Sequence, residues 1–452
     1  MTKSSVSKKY KQEDIAHLLH GFIDQREFAE SGSMIIVEAS GVNVKDIDGN
    51  EYIEARSGSM SVNIGYGRLE LAEVAKLQMS RMPFYVSFGG GANVQEIDLA
   101  CKLAGLTPPG LERFMFTNSG SDAVETALKI ARYYWRAKGK NKYKIISLDR
   151  SYHGATYGAI SLTANPVYFK NFEPLVPGFF HIACPYCYRC PYGKSYPGCE
   201  IDCAQALEKT IEEEGEDTVA AFLSEPMTAV AGYVLPPPEY WKKVMEICTK
   251  HNVLLIIDEV ITGFGRTGKF FASEHWGIKP DIMTFSKGLA SSYMPMAGTV
   301  ISEKIYQAIK ESGNPFLHVF TFGGHPVGCA VALKNIEIIL GENLVDNAAK
   351  TGTYLLERLD ALQKKSPYIG AVRGRGLWCG VELVADKDTK ATFDPGKKVP
   401  KGVLSRCREK GVILGGFAGD VLGIGPPLII KKDEIDKVVD ALEWALQRIQ
   451  AS

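Results

Sequence analysis

Apolar residues recur along this chain in two rhythms, and the change between them divides it. Residues 34–37, 41–46 and 51–54 alternate or cluster β-formers around the turn signal Asp48-Gly49-Asn50, which predicts a short antiparallel meander. From about residue 70, helical periodicity alternates with short runs that are apolar on both faces, as parallel strands covered by helices must be. Strands are expected at 113–117, 144–148, 219–224, 253–258, 281–286 and 298–301, and a helix at 123–137. Past His325-Pro326 come a long helical stretch and strands at 376–384 and 411–414. A final helix gathers Ile435, Val438, Val439, Leu442, Ala445, Leu446 and Ile449 on one face. The pattern is α/β, with no internal repeat or long linker. We expect an N-terminal segment and meander over 1–68 belonging to a small domain, a large domain over 69–326, and 327–452 completing the small one.

Composition narrows the function classes. A chain of 452 residues can bury a large core and a smaller one. A formal net charge of zero supplies neither a nucleic-acid surface nor a polybasic membrane patch, so small neutral or zwitterionic substrates fit better. The start of the chain is polar and lysine-rich, and no apolar run reaches membrane-spanning length. A cytoplasmic protein without membrane or nucleic-acid partners is expected. Cys184, Cys187, Cys190, Cys199 and Cys203 crowd one turn-rich excursion with the spacing C-x2-C-x2-C-x8-C-x3-C. That spacing suits zinc or an iron-sulfur cluster, and equally a loop of reduced thiols. No metal is assigned, and any metal there would be structural.

Lys287 closes the run Ile282-Met283-Thr284-Phe285-Ser286-Lys287, and 29 residues upstream Asp258 closes Val253-Leu254-Leu255-Ile256-Ile257-Asp258. Ligands of open parallel sheets collect beyond the carboxyl ends of the strands, where both residues fall. An amine that condenses with an aldehyde and a carboxylate that keeps a pyridine nitrogen protonated are what a pyridoxal cofactor requires. The pair suggests a pyridoxal phosphate enzyme. Either residue alone is more simply a strand end meeting solvent.

A phosphate seat is offered by Thr117-Asn118-Ser119-Gly120-Ser121-Asp122, where a strand gives way to a helix. Ser119 and Asp122 have capping-box spacing, Gly120 lets backbone amides approach an anion, and the helix dipole favours negative charge there. In isolation the same motif is a plain cap. Tyr152, in Tyr152-His153-Gly154, reaches the same sheet edge as an aromatic able to stack on a flat ring. Glu225 ends another strand as a second carboxylate, and Val260, two past Asp258, is placed to pack the opposite ring face. The stretch from Gly263 to Phe270 nearly matches a phosphate loop, but Phe270 has no hydroxyl for magnesium and the motif follows the aspartate strand where it should precede it.

Together, Thr117-Asn118-Ser119-Gly120-Ser121, Ser151-Tyr152-His153-Gly154, Asp258-Glu259-Val260-Ile261-Thr262-Gly263-Phe264-Gly265-Arg266-Thr267-Gly268 and Ser286-Lys287-Gly288 resemble the class III aminotransferases. Val62-Asn63-Ile64-Gly65-Tyr66-Gly67-Arg68 and Tyr240-Trp241 resemble their omega-amino acid:pyruvate branch, the omega-transaminases. The resemblance implies the pyridoxal phosphate (PLP) transferase fold of type I, a large domain of mostly parallel mixed sheet plus a smaller α+β domain. It implies a homodimer with active sites at the subunit boundary. Lys287 then corresponds to the cofactor-tethering lysine, Asp258 to the carboxylate facing the ring nitrogen, and Tyr152 to the stacking aromatic. Gly120 and Ser121 correspond to the phosphate turn, and the cofactor site also takes in Ser119, His153, Glu225 and Val260. Phe320 and Thr321 resemble the segment by which a neighbouring subunit completes the phosphate site.

The implied activity moves an amino group from an omega-amino acid or amine, such as beta-alanine, taurine, 4-aminobutyrate or a diamine, to pyruvate or a related keto acid. A racemase, epimerase or lyase on the same scaffold is the alternative. One departure stands out. Many relatives carry an arginine ahead of a Pro-Pro-Leu motif to clasp the acceptor's carboxylate, and alignment on Pro426-Pro427-Leu428 puts Gly416 there. Arg375 and Arg68 are the nearest replacements in sequence, with structural ion pairs as their other reading. Met60, where bulky side chains often restrict the amine pocket, joins Phe84, Tyr85 and Phe88 as expected pocket residues.

Overall fold

The computed structural model describes residues 3–449. β1 (Ile36–Ser40), β2 (Asn43–Asp46) and β3 (Glu51–Glu54) form the expected antiparallel meander. Its second turn needs Gly49, whose φ of 94° suits a residue without a side chain.

The central sheet contains β4 (Leu111–Thr117), β5 (Lys144–Leu148), β6 (Phe179–Ile182), β7 (Val219–Ser224), β8 (Leu254–Asp258), β9 (Ile282–Phe285) and β10 (Ala297–Ser302) in the order β4-β10-β9-β8-β7-β5-β6. β5 to β9 run parallel, and β10 is antiparallel to both of its neighbours. Every residue of β7 and β8 is buried. Alternate side chains serve opposite faces: Ala221, Leu223, Leu254 and Ile256 meet Val124, Leu128 and Ala131 of the helix Gly120–Ala137. Phe222, Leu255 and Ile257 meet Leu207, Ile211, Trp241 and Val244 of the helices Asp202–Glu214 and Tyr240–Lys250 on the other side. Two covered faces explain why these strands read as unbroken apolar runs. Each such buried Leu or Ile contributes about 1.5–3 kcal/mol.

The remainder comprises β11 (Ile369–Gly374), β12 (Cys379–Leu383), β13 (Val412–Ile413), β14 (Gly415–Ala418) and β15 (Val421–Ile424). Four of these form an antiparallel sheet in the order β11-β12-β15-β14, while β13 pairs in parallel with β3, Val412 opposite Ile53. The long helical stretch is two helices, Pro326–Gly341 and Leu344–Lys365, parted at Asn343, whose φ is 54°.

Sequence reasoning missed β6, β11, β14 and β15. Gly370, Gly374, Gly415, Gly416 and Gly423 dilute the β signal in three of them, and β6 is a four-residue edge strand leading into the cysteine excursion. The expected strand over 376–384 contracts to Cys379–Leu383, preceded by a turn, and that over 411–414 contracts to two residues. No helix among the described residues is long and apolar enough to cross a membrane.

Candidate active site

Three parallel strands deliver the central groups to one edge. Ser224 of β7 pairs with Ile257 of β8, so Glu225 and Asp258, each one residue on, emerge side by side. Asp258 pairs with Thr284 of β9, and Lys287 follows three residues later in a short helical turn with a φ of 40°. Strain of this kind persists where the surroundings over-determine it. The next carboxylate, Glu259, points the other way and is consumed structurally. It accepts from Thr262 Oγ1 and from the amides of Ala272 and Ser273, which shapes the loop after β8.

Asp258 is 4% exposed and fully engaged. One oxygen accepts from the Val260 amide at 3.0 Å and from Thr284 Oγ1 at 3.3 Å, and the other lies 2.8 Å from His153 Nδ1. The imidazole is itself buried, with Nε2 unpartnered among the described residues. Glu225 accepts from the Ala229 amide at 3.1 Å, leaving its second oxygen buried without a partner. Burial, and then the neighbouring Asp258, pushes the Glu225 carboxyl well above the usual range. Lys287 donates to the Ser59 carbonyl at 3.0 Å. Burial pulls its ammonium down to about 8; Glu225 and Asp258 oppose that shift, and Arg266 and Arg56 add to it.

At the adjoining edge the helix Gly120–Ala137 starts on Ser119 with the full capping box to Asp122. A side chain at Gly120 would stand 3.0 Å from Val260 Cγ1, so the bare backbone is needed where the helix amides face the site. Gly154 is similarly pressed: a Cβ there would lie 2.7 Å from Ser121 Oγ, which accepts from the Ala155 amide at 3.0 Å. The helix N-terminus, the strand-end lysine and the hydrogen-bonded aspartate thus gather at one edge of the central sheet. These residues fit PLP: amides and Ser121 for its phosphate, Asp258 for its ring nitrogen, Val260 and Tyr152 for its faces, and Lys287 for its aldehyde.

Tyr152 lies 5.1 Å, ring to ring, from Tyr168, which in turn lies 5.6 Å from Phe22. With Tyr157, Ile160 and Val167 they line an apolar cavity of about 340 Å³. Sequence reasoning missed Phe22 and Tyr168, because neither belongs to a motif and they meet only on folding. The Tyr168 hydroxyl is pushed up to about 12 by burial, then by Tyr152 and Glu225, which ties this cavity to the strand-end carboxylates.

Other expected residues are placed differently. Met60 is buried among Met227, Tyr233 and Trp378 beneath the mouth. Phe84, Tyr85 and Phe88 are exposed, as are Leu317, Val319, Thr321 and Phe322, while Phe320 is half-buried. Arg68 forms a two-pronged ion pair with Glu342 at 2.8 and 2.7 Å. Arg375 sits 2.9 Å from His275 Nδ1 and over the Trp276 ring. Gly416 is exposed on β14. Arg266, in the sequence that mimics a phosphate loop, is fully buried and spans Leu377, Pro426, Ser57 and Asn63. The cysteines are free thiols, and Cys187, Cys190, Cys199 and Cys203 line one small cavity. The metal-compatible group whose ligand atoms lie within 4.8 Å of one another is instead Glu208, Glu212 and His251.

Fold and site together define a PLP-dependent transferase of fold type I. The class III aminotransferase profile matches residues 27–446, and the chain belongs to that family. It is 39% identical to the putrescine–pyruvate aminotransferase of Pseudomonas aeruginosa over 96% of this chain and 95% of the relative. A thermostable (S)-enantioselective omega-transaminase from Thermomicrobium roseum superposes with a TM-score of 0.95 at 42% identity, covering 97% of this chain and 98% of that one. The omega-transaminase of Pseudomonas jessenii in complex with PMP superposes with a TM-score of 0.94 at 38% identity over 97% of each chain.

Proposed function

We propose that this aminotransferase moves an amino group from an amine or omega-amino acid with an apolar body to pyruvate or a related keto acid. The observation that carries the reading is the Lys287 amine at the strand edge beside Asp258, which is hydrogen-bonded by His153, with Tyr152 lining an apolar cavity shared with Phe22 and Tyr168. When bound, PLP supplies the electron sink that stabilises negative charge at the substrate carbon bearing the amine. The protein's residues do the rest. Asp258, oriented by His153 and Thr284, holds a proton on the ring nitrogen through its adjacent negative charge. Lys287, eased toward neutrality by burial, accepts and returns the substrate proton. Ser119, Gly120 and Ser121 would hold the cofactor's phosphate, and Tyr152 and Val260 would pack against its ring.

Several further features belong to the same proposal. The exposed Phe84, Tyr85, Phe88, Leu317, Val319 and Phe322 support a homodimer in which Thr321 and Phe320 complete the partner's phosphate site. The β3–β13 pairing supports a small domain built from 1–68 and 327–452 around a large one over 69–326. Ten free thiols support a reducing, cytoplasmic setting. The test is a half-reaction. Amine added alone to the holoenzyme should convert the aldehyde form of the cofactor to the aminated form stoichiometrically, and pyruvate should reverse it. Return to the aldehyde form without acceptor would instead mark a racemase or lyase.

A further inference from the structure

A keto acid brings a carboxylate into a concavity that already holds Glu225 and Asp258, so a cation must offset it. Two arginines act electrostatically on Lys287, Arg266 and Arg56. Arg266 is spent: it is fully buried, and both terminal nitrogens donate to Leu377 and Pro426 carbonyls, Ser57 Oγ and Asn63 Oδ1. Arg375 and Arg68 are held by His275 and Glu342. Arg56 differs from all three. Its side chain is 41% exposed, Nε donates to the Gly58 carbonyl at 2.7 Å, and the two terminal nitrogens have no hydrogen bond among the described residues.

The backbone around Arg56 aims it. Ser57, Gly58 and Met60 adopt φ values of 43°, 71° and 56°, a tight turn that sets Arg56 at the rim where Ser59 receives the Lys287 amine. Across from it, a Cβ built on Gly415 would lie 3.7 Å from the Arg56 Cβ, so Arg56 stands directly against the strand that carries Gly416. The absence of a side chain at Gly415 leaves open the space beside the Arg56 side chain. Glu54 holds it only loosely: its nearest oxygen is 4.0 Å from Nε, its other oxygen accepts from the Gly58 amide and Tyr66, and burial raises its carboxyl against the opposing pull of Arg56.

We infer that Arg56 is the substrate-binding cation of this site, clasping the carboxylate of the keto-acid acceptor in place of the arginine that Gly416 lacks. The inference rests on the transaminase reading above and deepens it. A planar guanidinium whose terminal Nη1–Nη2 edge is free suits a carboxylate held two-pronged. Lysine, a point charge, replaces it only in part.

The experiment compares pyruvate with the uncharged acceptor butanal in the holoenzyme, its Arg56→Ala variant and its Arg56→Lys variant. In R56A the pyruvate KM should rise about ten- to hundredfold, and the pyruvate-to-butanal ratio of kcat/KM should fall by the same factor, with Lys intermediate. An unchanged ratio in both variants would overturn the assignment, whatever happened to overall rate. Failure of the amine half-reaction in the unaltered enzyme would instead defeat the transaminase reading, so the two failures are distinct.

Discussion

The carboxyl edge of the central sheet and the mouth above it are built on opposite terms. At the edge, Asp258, His153 and Glu225 are buried, and consecutive parallel strands set their register. At the mouth, Arg56, Gly416 and the exposed aromatics come from turns and edge segments far apart in the chain. Buried polar groups in fixed register do chemistry that tolerates little change, whereas rim side chains can be exchanged without disturbing a core. On the proposed function, reaction type is set at the sheet and substrate choice at the rim.

The sharpest way to break this division is at Lys287. Lys287→Ala should lower turnover by about 10³-fold or more while leaving the circular dichroism spectrum intact, since its side chain supports no packing layer. Multiple turnovers by that variant would show that the edge does not govern the chemistry. Asp258→Asn keeps the shape but removes the charge, and kcat should drop about 10²- to 10³-fold. Titration offers a middle-sized test. With the Lys287 ammonium held near 8, only the neutral amine adds to an aldehyde, so capture of PLP by apoenzyme should speed up about tenfold between roughly pH 7 and 9. A rate still climbing steeply toward pH 10 would place the lysine at its ordinary value.

Gly120→Ala pushes a methyl toward Val260 and should weaken PLP binding about five- to tenfold with little change in thermal stability, measured by cofactor titration. The smallest effect belongs to Arg68→Ala. It should cost about 1 kcal/mol through loss of the Glu342 pair and leave the pyruvate KM unchanged. A change in that KM would move Arg68 from scaffold to substrate recognition and blur the comparison.

What the sequence disclosed follows the same division. Lys287, Asp258 and the Ser119 cap were legible because each ends or begins an element whose apolar rhythm is strong, and both faces of that sheet are covered. Arg56, Phe22 and Tyr168 were not, because none belongs to a motif and their significance depends on contacts that folding makes, Arg56 with the strand that carries Gly415 and Phe22 with Tyr168. Arg375 and Arg68 were read from sequence as substrate cations or structural ion pairs, and the Glu342 pair bears out the second reading for Arg68. Their ion pair and ring contacts appear only when Glu342, His275 and Trp276 are brought to them. The short strands with interior glycines escaped for a third reason: their β character comes from neighbours, and glycine adds none.

The pairing of Val412 with Ile53 has a consequence for how the molecule is made. During synthesis the N-terminal meander must wait, one margin unsatisfied, until more than nine-tenths of the polypeptide has left the ribosome. Birth order and assembly order thus run in opposite directions, and a premature stop late in translation would orphan structure laid down at the very beginning.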